Sequence, residues 1–305
     1  MEVQWPLLIF SVLLGMGSGL LVFIGIGEVK GAFRRVRFPL AVIALALLAC
    51  GGIASTFHLG HIDRAFHILG NMASGLSKEL FAVAFAGIVA LVYAVLARKD
   101  YPTASKVLGI LALVAGLVLP LTAGASFMMP ARPAWDTFTL PLMYLGTGLG
   151  MGFVLAAALV CTKGDAEDAP LALKVALAGV ACSVVTMVAY VAAIAAAPFA
   201  HESRSFARLM SGSLAVEFWV GVVLLGIAAP VVLALLAARR SRGADDAAAA
   251  DGAAGAAEDG AGAGATALRT KAGYLWAALA CLVIGSVVLR TIMYAVATSV
   301  ESLIY

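Results

Sequence analysis

Few residues in this chain can do chemistry, and most of them fall in one stretch. STFHLGHIDRAFHILGNMASGLSKEL, residues 55–80, holds Ser55, His58, Arg64 and Glu79 between two long apolar runs. A reduced copy follows later, with His201, Arg204 and Glu217 in the same order, and a lone Arg290 lies inside the last apolar run. Histidine titrates near neutral pH and a carboxylate can take up a proton. A His and a Glu facing one another at a membrane boundary therefore suit proton-coupled redox chemistry. Oxidation of a quinol is one such reaction: two protons leave with two electrons, and each ring oxygen needs a hydrogen-bonding base. The bland reading of the same residues is a solvated interfacial histidine beside a snorkelling acid. Residue types alone leave both open.

Other chemistries are disfavoured by spacing. Cys50, Cys161, Cys182 and Cys281 lie singly in or at the ends of apolar runs, with no C-x-x-C pair. Iron–sulfur clusters and structural zinc need convergent thiolates, so this chain is expected to hold neither. The four histidines, His58, His61, His67 and His201, all stand at loop level. A bis-histidine haem needs pairs deep in facing helices, so no haem is expected.

The elements that must position these residues follow from composition. The chain has 305 residues, 63% of them apolar and 12% charged, with net charge +3 and mean hydropathy +1.04. Soluble domains are far more charged, which excludes a soluble enzyme, a disordered chain and a nucleic-acid binder driven by positive charge. Eight apolar runs approach the ~20 residues a span requires: 6–27, 38–58, 78–97, 107–129, 139–161, 172–197, 214–238 and 273–296. Open sheets cannot exist in lipid, so the expected fold is an all-α integral membrane protein of eight helices. The start, MEVQW, lacks a basic n-region, so the first run reads as a retained span.

Charge fixes the expected orientation. Fourteen of the twenty Lys and Arg fall in odd-numbered loops, including Lys30, Arg34, Arg35 and Arg37 in the first. By the positive-inside rule those loops are cytoplasmic and both termini lie on the outer face. The His58–Glu79 stretch is then at the outer boundary. In loop seven, residues 243–268 are almost all Ala, Gly, Asp and Glu, which reads as a flexible cytoplasmic linker.

The chain also carries a duplication. Pro6, Leu7, Leu14, Gly15, Met16, Gly17 and Leu20 match Pro141, Leu142, Leu149, Gly150, Met151, Gly152 and Leu155 at a constant offset of 135. Arg64, Phe66, Met72 and Glu79 have counterparts in Arg204, Phe206, Met210 and Glu217. Four spans per repeat is an even number, so the halves share one orientation and form two tandem four-helix bundles. The expected units are 1–130 and 131–242 with 269–305, separated by the linker 243–268. Gly15/Gly19 and Gly146/Gly150, at i,i+4, are read as close-packing positions.

WPLLIF from Trp5, STFHLG from Ser55, RAF from Arg64 and LSKE ending at Glu79 resemble the membrane-anchor subunits of dimethyl sulfoxide reductases, relatives of polysulfide-reductase membrane subunits. The match is clearest over residues 5–80. The resemblance implies a haem-free, eight-helix, multi-pass protein of the bacterial cytoplasmic (inner) membrane that binds menaquinol. It implies two partners: a four-cluster iron–sulfur subunit and a molybdopterin catalytic subunit. Iron–sulfur clusters and molybdenum are then carried by those partners, and acceptor reduction has no catalytic residue on this chain. The family's quinol-site histidine matches His58 and its glutamate matches Glu79, with Arg64 and Ser55 as supporting residues. Departures are a His-to-Glu stretch one residue shorter, His61 in place of a small residue, and Asp63.

The competing reading is an ion- or solute-translocating transporter subunit. It would call for mid-membrane charges, of which only Arg290 is present well inside a span.

Overall fold

The computed structural model describes residues 3–57, 74–99, 102–196, 206–239 and 257–296, and among them the chain is helix joined by turns. Eight helices are long and apolar enough to cross a membrane. They are α1 (Trp5–Lys30), α2 (Arg37–Thr56), α3 (Gly75–Ala97), α4 (Pro102–Ala125), α5 (Thr139–Lys163), α6 (Ala169–Ala196), α7 (Glu217–Ala238) and α8 (Ala257–Val296). Each expected span has its helix.

Two boundaries move for physical reasons. α3 begins at Gly75, before the apolar run does, because the Ser74 hydroxyl accepts the Ser77 N–H at 3.1 Å and caps the helix. Glu79 thereby sits one turn inside α3 instead of at its very start. At the other end of the chain, α8 already runs from Ala257. The flexible linker expected over 243–268 is thus corrected from residue 257 onward. Alanine is the best helix former, and a stretch joined to an existing helix needs no new nucleus. Residues 240–256 lie outside the described residues.

α1 and α5 form the centre, with 78% and 89% of their apolar windows buried against 28–44% in the other six helices. α1 packs on α2, α4 and α5; α5 packs on α1, α4, α6 and α8. α3 lies on α2 and α4, and α7 on α6 and α8. The outer helices turn apolar side chains such as Phe81, Phe85 and Ile88 to their surroundings, as lipid-facing helices do.

Where the central helices meet, backbone touches backbone. Gly15 and Gly19 of α1 lie against Gly148 and Gly152 of α5, and a Cβ on Gly152 would stand 2.5 Å from Gly19. Gly146 and Gly150 face α6 instead, against Thr186 and Ser183. Glycines at alternate positions of α5 point to opposite sides, so one helix packs closely on two neighbours.

At the end of the molecule away from Glu79, polar ties close the loops. Glu28 accepts a hydrogen bond from Tyr93 at 2.5 Å and pairs with Arg37 at 3.8 Å. Phe33 takes a positive φ of 64°, stacks on Phe23, and donates its N–H to the Asp168 carboxylate at 2.7 Å. That bond links the α1–α2 turn to the turn before α6.

Candidate functional site

Glu79 is the residue around which the site assembles. It lies one turn into α3 and is only 7% exposed. A carboxyl group buried at membrane depth is costly and points to function. The polar group beside it is the hydroxyl of Ser126, just past the end of α4. Ser126 Oγ also lies 2.9 Å from Thr122 O and 3.2 Å from Gly75 O, fastening the end of α4 to the start of α3.

Next to Glu79 the segment between α4 and α5 folds inward. Its two prolines, Pro130 and Pro133, prevent helix continuation. Phe127 and Trp135 are carried inside, where they meet Tyr144 of α5 and Tyr294 of α8. Phe127 contacts Trp135, Tyr144 and Tyr294 with ring centroids 5.7, 5.8 and 6.3 Å apart, and Trp135 meets Tyr294 edge to face at 5.6 Å. Trp135 donates its indole N–H to Met293 O at 2.9 Å. The Arg132 guanidinium covers the outer face of the Trp135 ring at 4.6 Å. Phe127, which meets both tyrosines, follows directly on Ser126, the hydroxyl beside Glu79.

One turn deeper is Arg290, which is fully buried. Its Nε donates to Ser11 Oγ at 2.8 Å and its Nη1 to Ser286 Oγ at 2.6 Å. Thr147 Oγ1 stands 3.5 Å from both terminal nitrogens, and the Tyr144 ring lies 4.4 Å from the guanidinium carbon. Among the described residues no carboxylate pairs with it. Among the described residues, hydroxyl groups from α1, α5 and α8 and the face of Tyr144 surround this charge, at the depth where the two central helices and α8 converge.

The other residues singled out by sequence fare differently. Ser55 is in the last turn of α2 with its hydroxyl donated back to Gly52 O at 2.8 Å. His58 and Arg64 lie outside the described residues, as do His201 and Arg204 of the second copy. Glu217 is exposed at the first residue of α7, so it does not reproduce the burial of Glu79. Its helix opens with wider, five-residue turns, as in the Ala229 N–H bond to Leu224 O.

Tyr144, Tyr294, Trp135 and Ser11 were not picked out by sequence reasoning. Ser286, Arg290 and Tyr294 recur at i,i+4 along α8, which was the available signal for that helix. Nothing comparable marks Ser11 or Thr147.

Two similarities connect the chain with known proteins. The family described as DMSO reductase anchor subunit (DmsC) matches residues 1–245. The anaerobic dimethyl sulfoxide reductase chain YnfH of Escherichia coli (strain K12) is 32% identical over 187 residues, covering 59% of this chain and 66% of that relative. The matched stretch thus spans just under two thirds of the relative's length.

Proposed function

The chain belongs to the DMSO reductase anchor subunit family, and from that premise we propose that it is the quinol-oxidising membrane subunit of a molybdenum oxidoreductase complex. The observation that carries the reading is Glu79: a carboxyl group 7% exposed, one turn inside a membrane helix, beside a hydroxyl and a set of aromatic rings. Such a surrounding fits a flat, lipid-soluble ring with oxygens at either end. It also fits the sequence argument for His58, two residues beyond the end of α2 in the chain.

In this reading the substrate is menaquinol, which gives up two electrons and two protons and leaves as the quinone. Glu79 and His58 each accept a proton from one ring hydroxyl and pass it to water at the membrane surface. The electrons go to an iron–sulfur cluster of a four-cluster partner subunit, and from there to a molybdopterin catalytic subunit that reduces the terminal acceptor. This chain anchors both partners and carries neither metal group. Quinone is the one redox group it holds, and no haem is part of the scheme. Positive loops put the Glu79 end at the outer face of the bacterial inner membrane, with both termini, and the partners dock there.

The two-bundle organisation belongs to the same proposal. Its units are 1–130, holding the quinol site, and 131–242 with 269–305. It is supported by the neighbours of each helix, since α1 to α4 and α5 to α8 each pack in a closed sequence, joined mainly through α1 and α5. The glycine contact between α1 and α5 then becomes the seam between halves.

The test uses membranes containing the complete complex. Glu79→Gln and His58→Arg are expected to abolish acceptor reduction driven by a reduced menaquinone analogue. Turnover driven by reduced viologen, which enters at the partner subunits, is expected to persist. Normal quinol-linked turnover in Glu79→Gln would overturn the assignment.

A further inference from the structure

Tyr294 has a hydroxyl group that no other described residue uses. The side chain is 2% exposed, and among the described residues its hydroxyl has no hydrogen-bond partner. A buried hydroxyl without a partner is unfavourable, and native structures keep few of them. Among the described residues, three serine hydroxyls, those of Ser18, Ser105 and Ser183, are also without a partner. A helical serine can rotate onto a carbonyl of its own preceding turn, so those orphans are easily relieved. A tyrosine cannot, because a rigid ring carries its hydroxyl well away from its own helix. Tyr190 gives the contrast within the same protein: its hydroxyl, equally buried, donates to Ala134 O at 3.1 Å.

The position of the orphan also matters. The Tyr294 ring is held edge to face by Trp135 and Phe127, so its direction is set by packing. Its ring neighbour Phe127 follows directly on Ser126, the hydroxyl beside Glu79, while Arg132 covers Trp135 and Arg290 stands one turn away on α8. A fixed donor without an acceptor, beside a buried acid, is what a binding site for an oxygen-bearing ring presents before the ring arrives.

We infer that the Tyr294 hydroxyl is a further binding residue for the quinol, donating a hydrogen bond from α8 to the ring oxygen opposite the one served by Glu79. The inference rests on the quinol reading above and deepens it: the ring is gripped between the two ends of the chain, by α3 on one side and α8 on the other. Tyr294 holds and orients the ring and transfers no proton. α8 thus becomes part of the site, although the stretch that holds Glu79, residues 55–80, lies more than two hundred positions earlier.

The sign of two effects separates this role from a structural one. In the purified complex, Tyr294→Phe keeps the ring and removes only the orphan hydroxyl. The quinol-free complex is expected to melt at the same temperature as the wild type or higher. The KM for a reduced menaquinone analogue is expected to rise about tenfold, the equivalent of one lost hydrogen bond, with a much smaller change in kcat. Rates are normalised to reduced-viologen turnover, which measures the amount of complex. Tyr190→Phe is expected to do the reverse, lowering the melting temperature and leaving KM alone. An unchanged KM in Tyr294→Phe, while Glu79→Gln abolishes quinol turnover, overturns the role of Tyr294 and leaves the quinol site standing. Retained quinol turnover in Glu79→Gln overturns both. A rise in KM for Tyr190→Phe equal to that for Tyr294→Phe assigns the effect to aromatic packing and also overturns the inference.

Discussion

Replacing Arg290 with methionine should leave the protein as stable as before, or more so, although Arg290 is the most deeply buried charged side chain among the described residues. The guanidinium has no carboxylate among the described residues and is solvated by three hydroxyls, two of which already donate elsewhere. Ser11 Oγ gives its proton to Leu8 O at 2.9 Å and Thr147 Oγ1 to Met143 O at 2.8 Å. Removing the arginine costs them an accepted bond but strands no donor. Against that stands the desolvation of an ion. Exchanging buried ionic groups for apolar ones of similar volume is neutral or stabilising by about 1–4 kcal/mol. Ser11→Ala has the opposite expectation. It leaves the Arg290 Nε–H, now bonded at 2.8 Å, with no acceptor, a loss of about 1.5–3 kcal/mol for a bond to a charged group. In the Arg290→Met background the same Ser11→Ala change should cost almost nothing. A double-mutant cycle on the complex, read by its unfolding free energy in mixed micelles, therefore expects a coupling of about 1.5–3 kcal/mol. A loss above about 3 kcal/mol in Arg290→Met, or no cost for Ser11→Ala alone, would refute the picture of an ion held by hydroxyls at a net expense.

Other substitutions probe the frame that holds the site. Gly152→Val puts a Cβ 2.5 Å from the Gly19 backbone and should separate α1 from α5, lowering stability by at least ~1–3 kcal/mol; Gly52→Ala, at a helical position with open space around it, should be tolerated or stabilise by up to about 1 kcal/mol. Thermal unfolding of the two variants side by side checks the pair. Asp168→Ala strands the buried Phe33 N–H in its strained turn and should cost about 1–3 kcal/mol. Asp165→Ala, removing a solvent-exposed contact with Arg35, should cost less than about 1 kcal/mol. Equal losses in those two would remove the link between the turns as a stabilising element.

The helices were legible because hydrocarbon imposes one solution on a run of about 20 apolar residues. Their ends were less so, since Ser74 starts α3 by a local cap and alanine extends α8 beyond the membrane stretch. Glu79 stood out as an acid in an apolar run. The rest of the site did not, because it exists only where distant segments meet: Ser11 and Arg290 are 279 residues apart in sequence. A serine in an apolar helix and one tyrosine among seven carry no mark until folding brings them together. The glycines show a finer limit. Spacing identified close packing on α5, but which glycine met which neighbour depended on the rotation of the helix, and Gly148 and Gly152 rather than Gly146 and Gly150 turned toward α1.

The central claim, a quinol held against Glu79, is tested most directly by binding. A fluorescent quinol-analogue inhibitor titrated into the purified complex should be quenched at one equivalent per copy of this chain. In Glu79→Gln the quenching should be lost while the complex stays assembled. Undiminished stoichiometric quenching in Glu79→Gln would contradict the account.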